Sequence, residues 1–378
     1  MPSEPNSLQK PRLTQAILAA ALAIPGITSA ATPPERTELS LKRLNYQDSQ
    51  PGWERIHVDT TLLGAIIPLN DEWAMEGGVV IDTVSGASPS FHSQRFGSGK
   101  LHDVRRAEDA SVTRYFPLAS VTLGASHSAE NDYLSNALTL KFSLSSEDKN
   151  TTYDFGIAGN KDTITVPVAG IDHERKRGVD VIVGVTQVLT MNDIVQFNVS
   201  YGAGQGYYSD PYKFFDNRPR QKHQTALVAK WNHHVKSWGT TERFSYRYYD
   251  DSFGIRAHTL GYEHVQPMSN GWTLTPALRL YSQSAASFYV GVETPPFPTI
   301  PPGFTPGVTI ISQDQRLSAF GARTLGLKVA KQMGTDWVID AKYEDYEQRG
   351  AWRLGGAGST GLEPFRARSV ILGLTYLF

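Results

Sequence analysis

The sequence contains no cysteine, which excludes disulfides, thiolate metal centres and cysteine nucleophiles together. It also lacks an excess of charge. Its 36 basic and 37 acidic residues nearly cancel, and a nucleic-acid binder would show a basic surplus. It has no apolar run of the roughly 20 residues that a membrane helix needs. The longest candidate, Ile17–Ile24, is far too short and is followed by Pro25 and Gly26. A helical membrane protein is therefore excluded. Helical periodicity is missing as well, and the apolar residues recur with a period of two.

What remains reads as an exported, strand-rich chain. Lys10 and Arg12 precede the short apolar segment, and Thr28, Ser29, Ala30 and Ala31 offer small residues for cleavage. This predicts a signal peptide over 1–31 and a mature chain of 32–378. With 17 Tyr, 16 Phe and 33 Gly, the composition suits many strands and turns. Near the C-terminus, Val370, Leu372, Leu374, Tyr376 and Phe378 alternate with Ser369, Gly373 and Thr375, with Ile371 as the exception. Lipid wets one face of every strand of a membrane barrel and the lumen wets the other, so this alternation is required there. A terminal aromatic on such a strand resembles the signal that outer-membrane barrels present to their assembly machinery.

The connections alternate in length. Short turns are expected near 69–72, 117–119, 145–150, 190–193, 236–240, 267–271 and 332–336. Longer ones are expected near 47–53, 85–107, 128–133, 159–177, 203–222, 250–254, 287–314 and 349–364. Trp73, Trp238, Trp272 and Trp337 all fall at the short turns, where an interfacial aromatic girdle belongs, and Phe378 joins them at that end. The reading is an all-β, transmembrane, antiparallel up-and-down barrel of about sixteen strands, with both mature termini in the periplasm. The proline-rich stretch 294–307 is expected as an outer loop. His173 to Arg177 reads as a solvated charge run at a strand mouth, or as a contact for lipopolysaccharide phosphates.

Strand parity nominates a lumen. Glu76, Asp82, Lys230, His234, Arg243, Arg247, Arg279, Lys328, Asp340, Lys342 and Glu344 should face inward, because a charge facing lipid at mid-bilayer costs roughly 2–4 kcal/mol. The arginines would form a positive ladder facing Glu76, Asp82, Asp340 and Glu344. No metal site or cofactor is expected: His233 and His234 are adjacent on a strand and point to opposite faces, and His258 and His264 lie too far apart. Ser126, His127, Ser128, Asp251 and Ser252 show no nucleophile elbow, so an enzyme is not expected. Gly204–Gly206 and Gly355–Gly358 read as loop glycines rather than a nucleotide site.

Five stretches resemble one family: Leu44–Trp53, Asp82–Pro89, Trp231–His234, Ser252–Gly261 and Tyr346–Gly350. They are similar to the bacterial family labelled domain of unknown function 3570, over essentially the whole mature chain. The resemblance implies an exported barrel and carries over no functional residue. The expected function is a passive channel or solute-binding, porin-like barrel in the outer membrane of a Gram-negative bacterium. Its expected partners are outer-membrane lipid, lipopolysaccharide, the barrel assembly machinery and a small solute. The alternatives are a non-conducting scaffold barrel and an outer-membrane hydrolase.

Overall fold

A computed structural model describes residues 32–87, 100–213, 215–291, 303, 305 and 307–378. The expected signal segment, 1–31, and most of the proline-rich stretch lie outside these residues. In chain order the strands are β1 (Glu38–Gln50), β2 (Trp53–Asn70), β3 (Trp73–Ala87), β4 (Lys100–Tyr115), β5 (Ala119–Ala129) and β6 (Tyr133–Ser145). Next come β7 (Thr151–Val166), β8 (Ile171–Thr190), β9 (Asp193–Gly206), β10 (Asp216–Asn217), β11 (Gln221–Val235) and β12 (Thr240–Asp251). The series ends with β13 (Arg256–Pro267), β14 (Trp272–Gln283), β15 (Ile311–Ser312), β16 (Phe320–Met333), β17 (Trp337–Arg349) and β18 (Phe365–Leu377).

Sixteen of these strands form one closed antiparallel barrel, and β1 pairs with β18 to seal it. Closure leaves no unpaired edge. Beyond β18 the seam continues by two backbone bonds between Thr37 and Phe378, of 2.8 and 3.0 Å. The two-residue strands β10 and β15 stand apart as a separate ribbon.

The outward face is apolar and bare. Leu63, Leu123, Leu138, Val181, Leu260 and Leu372 are all exposed, Leu138 by 65%. An apolar belt around a closed barrel is the surface that lipid covers, and here it is interrupted on β4, where Glu108 faces outward beside Val79. Ile371 points inward, since it lies opposite Lys342. At the end with the short turns, Trp337 stacks on Tyr376 at 4.3 Å, and Trp272 lies 5.0 Å from the Lys331 ammonium.

Three expectations need correction. The β1–β2 connection shrinks to Pro51 and Gly52, and that of β7–β8 to 167–170. Gly52 and Gly170 have φ of +80° and +70°, which permits such tight reversals. Their strands therefore run on beyond the expected ends. The run His173–Arg177 consequently lies within β8 and is not a loop end. Gly204–Gly206 belong to β9 and are not loop glycines.

Candidate functional site: the lumen and its mouth

The lumen divides into two halves. Near the short turns, inward residues are wet: Glu76, Lys230, His234, Arg243 and Arg279 are exposed to solvent although they point away from the lipid face. Near the opposite end, inward residues such as Val58, Asp162, Ala257, Ala322 and Ala367 are buried. The cause is the described parts of two connections that fold over the mouth, the β9–β11 connection at 207–213 and 215–220 and the β14–β16 connection at 284–291 and 307–319.

These two connections meet as the β10–β15 ribbon, which pairs Asp216 with Ser312 and Asn217 with Ile311. A lattice of charges locks the ribbon. Arg218 bridges Asp216 at 2.8 Å and Asp314 at 2.7 Å. Arg316 pairs with Asp314 and Asp210. Gln50 donates to Gln315 at 3.4 Å, and Tyr212 donates to Asp132, so the lattice ties the β1 side of the rim to the β5–β6 side. An apolar cluster of Phe253, Ile255, Ala286 and Leu317 lies beneath, with Tyr208, Tyr249 and Phe288 packed on it. Burial alone would raise the Asp314 pKa, but Arg316, Lys213 and Arg218 hold it well below the usual carboxylate range. Asp216 moves the other way, because burial outweighs the pull of Arg218.

Between this plug and the wall lies a cavity of about 330 Å³, lined in part by Lys176, Tyr208, Arg218, Lys222, Gln224 and Arg316. Its wall cations are held by carboxylates. Lys176 lies 2.8 Å from Asp162 and Lys222 lies 3.1 Å from Asp251. Lys176 is thus buried and inward, contrary to a solvated charge run. Asp251 is also buried; it accepts from the backbone N–H groups of Phe253 and Ile255, both at 3.0 Å.

The register puts every nominated lumen residue on the inward face, but many are paired with near neighbours. Arg105 Nε donates to Asp82 at 2.6 Å, and both residues are buried near the mouth. Arg243 lies 3.5 Å from Glu263 and Arg279 lies 4.0 Å from Glu344. Lys342 is 2.9 Å from Glu344, and Lys328 is 3.7 Å from Asp340. Asp340 and Glu344 therefore sit among the cations of β14–β17 and do not face the arginines across the pore. Arg247 lies 4.9 Å from the Tyr249 ring. In the closed order β3 and β12 are eight strands apart out of sixteen, so they are diametrically opposed. Glu76, with Asp109 on the adjacent strand, faces the Arg243–Arg247 wall. Asp109 and Glu263 were not foreseen, although the same parity argument reaches both.

The histidines sit apart. His233 lies outward against Asp193 at 2.7 Å, and His234 lies inward, 3.3 Å from Thr241. His258 contacts Tyr246 and His264 contacts Glu242. Among the described residues, no three metal-binding side chains cluster. Ser126 points inward from β5 while His127 points outward and bonds Asn136 at 2.8 Å. Trp73, Trp238, Trp272, Trp337 and Phe378 all lie at the short-turn end.

A family model described as a protein of unknown function, DUF3570, matches residues 94–378. The resembling stretch at 44–53 and that at 82–89 precede this match. No curated protein matches the sequence significantly. Among solved structures, a bacterial polysaccharide outer membrane secretin aligns with 90% of this chain and 98% of its own, at 11% identity and a TM-score of 0.51. Two Pseudomonas aeruginosa proteins align less closely. The siderophore receptor PirA covers 92% of this chain and 81% of its own, at 9% identity and a TM-score of 0.44. OccK2, solved in complex with glucuronate, covers 92% and 100%, at 8% identity and a TM-score of 0.46. The secretin likeness is one of fold, that of an outer-membrane-type barrel.

Proposed function

The chain belongs to the DUF3570 family, and on that footing we propose that it is a passive, gated channel for small polar solutes in the outer membrane. The observation that carries this reading is the two-part lumen. A water-accessible vestibule with Glu76 and Asp109 on one wall and Arg243, Arg247 and Arg279 on the other leads to a mouth closed by charged, in-folded loops. Opposed charges across a water-filled gap set a transverse field that orients polar solutes. Sixteen strands make a barrel wide enough for an aqueous lumen unless loops fill it, and here loops close one end only. The short turns would face the periplasm and the loop end the exterior, after export and removal of 1–31. The reading assigns the barrel no catalysis and no cofactor.

Planar-bilayer conductance tests the proposal. Discrete, ion-selective openings are expected, with long closed intervals while the plug is intact. A barrel silent under every condition, and silent after the plug is broken by substitution, would favour a structural barrel that holds a partner. Hydrolysis of lipid or peptide by the pure protein would overturn the non-enzymatic reading.

A further inference from the structure

Most exposed charge on the outward face is paired across neighbouring strands, as in Arg43 with Asp59, Arg256 with Asp250 and Arg368 with Asp345; one group of cations on β7 and β8 is not. Along β8 the outward positions Val183, Val181 and Val179 are apolar and exposed. The next two outward positions toward the loop end are Arg177 and Arg175. Register sets Arg177 directly opposite Lys161 of β7, and Arg175 opposite Thr163. Like charges directly opposite each other on a sheet are destabilising. None of the three has a salt-bridge partner among the described residues, and Glu108, the outward acid of the same groove, stands three strands away from Lys161 on β4. Arg177 donates to Gln205 at 3.1 Å, and Glu174, the nearest acid in sequence, is engaged by Arg220. Three cations on two neighbouring strands thus stand together where the apolar belt ends, at the level of lipid head groups.

The surface beside them is hollow. The outward positions Gly77, Ala110, Ala125, Gly159 and Ala203 carry little or no side chain, and a groove of about 1730 Å³ runs over them from β3 to β11. A Cβ added at Gly159 would meet only the Gly178 carbonyl, at 3.9 Å. Neutral hydrogen-bonding groups flank the cations: Asn136 on β6, Gln205 on β9 and His223 on β11. Strands lie about 4.8 Å apart, so the polar row from His127 to His223 spans roughly 24 Å. That exceeds what one glycerophosphate head group covers and suits a sugar head group bearing phosphates.

We propose that this groove binds a phosphorylated, multiply acylated glycolipid of the outer leaflet. Its phosphates would rest on Lys161, Arg175 and Arg177, and an acyl chain would lie over Gly159 and Ala203. The site rests on the orientation proposed above, with the loop end outside, but not on conduction.

The test uses the folded full barrel in a non-ionic detergent, mixed with bis-phosphorylated hexa-acylated lipid A, with bound lipid counted by native mass spectrometry. One retained lipid is expected. The double variant Lys161→Gln with Arg177→Gln should weaken binding about tenfold or more, and Lys161→Arg should preserve it. Lipid A stripped of both phosphates should bind as weakly to the parent barrel as intact lipid A does to the double variant. Undiminished binding by the double variant, or equal binding of the stripped lipid, overturns the proposal. So does phosphatidylglycerol binding as tightly with the same mutational loss, or a lipid-free dimer that the double variant abolishes. If the double variant fails to fold, Arg175→Gln and Arg177→Gln are read singly in the same way. These residues face away from the lumen, so bilayer conductance of the variants separates failure of this site from failure of the channel reading.

Discussion

Arg218 and Asp314 lie 96 residues apart in the chain and 2.7 Å apart in the structure, and their contact joins the two connections that close the mouth. Removing one partner of a buried ion pair leaves the other charge uncompensated, at a cost of about 3–5 kcal/mol. Arg218→Ala should therefore free the β10–β15 ribbon. Single-channel recording should show longer and larger openings than in the parent. Unchanged closure would mean that the lattice is not the gate.

Acidity should act on this gate with two opposite signs. Asp314 has its pKa below the ordinary carboxylate value, so its contribution to the closed plug is whole above about pH 4 and is lost as pH falls further. Asp216 has its pKa above that value, so its contribution grows as pH falls toward the ordinary range. Open probability should fall or stay level from neutral pH toward about 4 and rise below it. Asp314→Asn should abolish the dependence on the acid side. A gate that opens steadily from pH 7 downward would contradict both assignments.

Ion selectivity should follow the opposed walls. Replacing Arg243, Arg247 and Arg279 with serine removes positive charge from the vestibule and should shift the reversal potential in a salt gradient toward cation preference. Glu76→Gln with Asp109→Asn should shift it the other way. Recordings in which neither set moves the potential would show that these side chains do not line the conducting path.

The missing cysteine makes orientation easy to read, because an introduced thiol has no background. Leu354 at the loop end is 71% exposed and Met191 in a short turn is 93% exposed. On intact cells a membrane-impermeant maleimide should label Leu354→Cys but not Met191→Cys, and permeabilised cells should label both. The reverse pattern would invert the proposed orientation.

The barrel was legible because its physics repeats. Alternation like that along β18, apolar on the lipid side and polar on the lumen side, recurs on many wall strands though not on β4, whose outward face carries Arg106, Glu108 and Arg114, and Asn70, Gly239 and Gly334 mark the short turns. The same parity reached Arg243, Arg247 and Arg279. It could not reach their partners, because pairing of Arg279 with Glu344 depends on which strands become neighbours across a long loop. The plug was illegible for a related reason. Asp210, Arg218, Asp314 and Arg316 lie in two loops without periodicity, and only tertiary folding shows that the loops meet. The density of Asp and Arg in 209–220 was visible, yet charge in a loop ordinarily means solvent. Lys176 was misjudged because β7 and β8 run on to a tight reversal at 167–170, so a run that looked terminal belongs to a wall covered by the plug.

The ribbon over the mouth has one strand from each of two loops, and each loop is anchored at both ends in the barrel wall. Such a stopper cannot be ejected like a cork or withdrawn as a separate domain. It can only unzip along its own seam, with each half swinging back toward the rim to which it is tied. Opening, on the proposed reading, would therefore be reversible by construction. Since the two halves would never leave one another's vicinity, reclosure would proceed at the high effective concentration of an intramolecular reaction and would need no energy source to reset it.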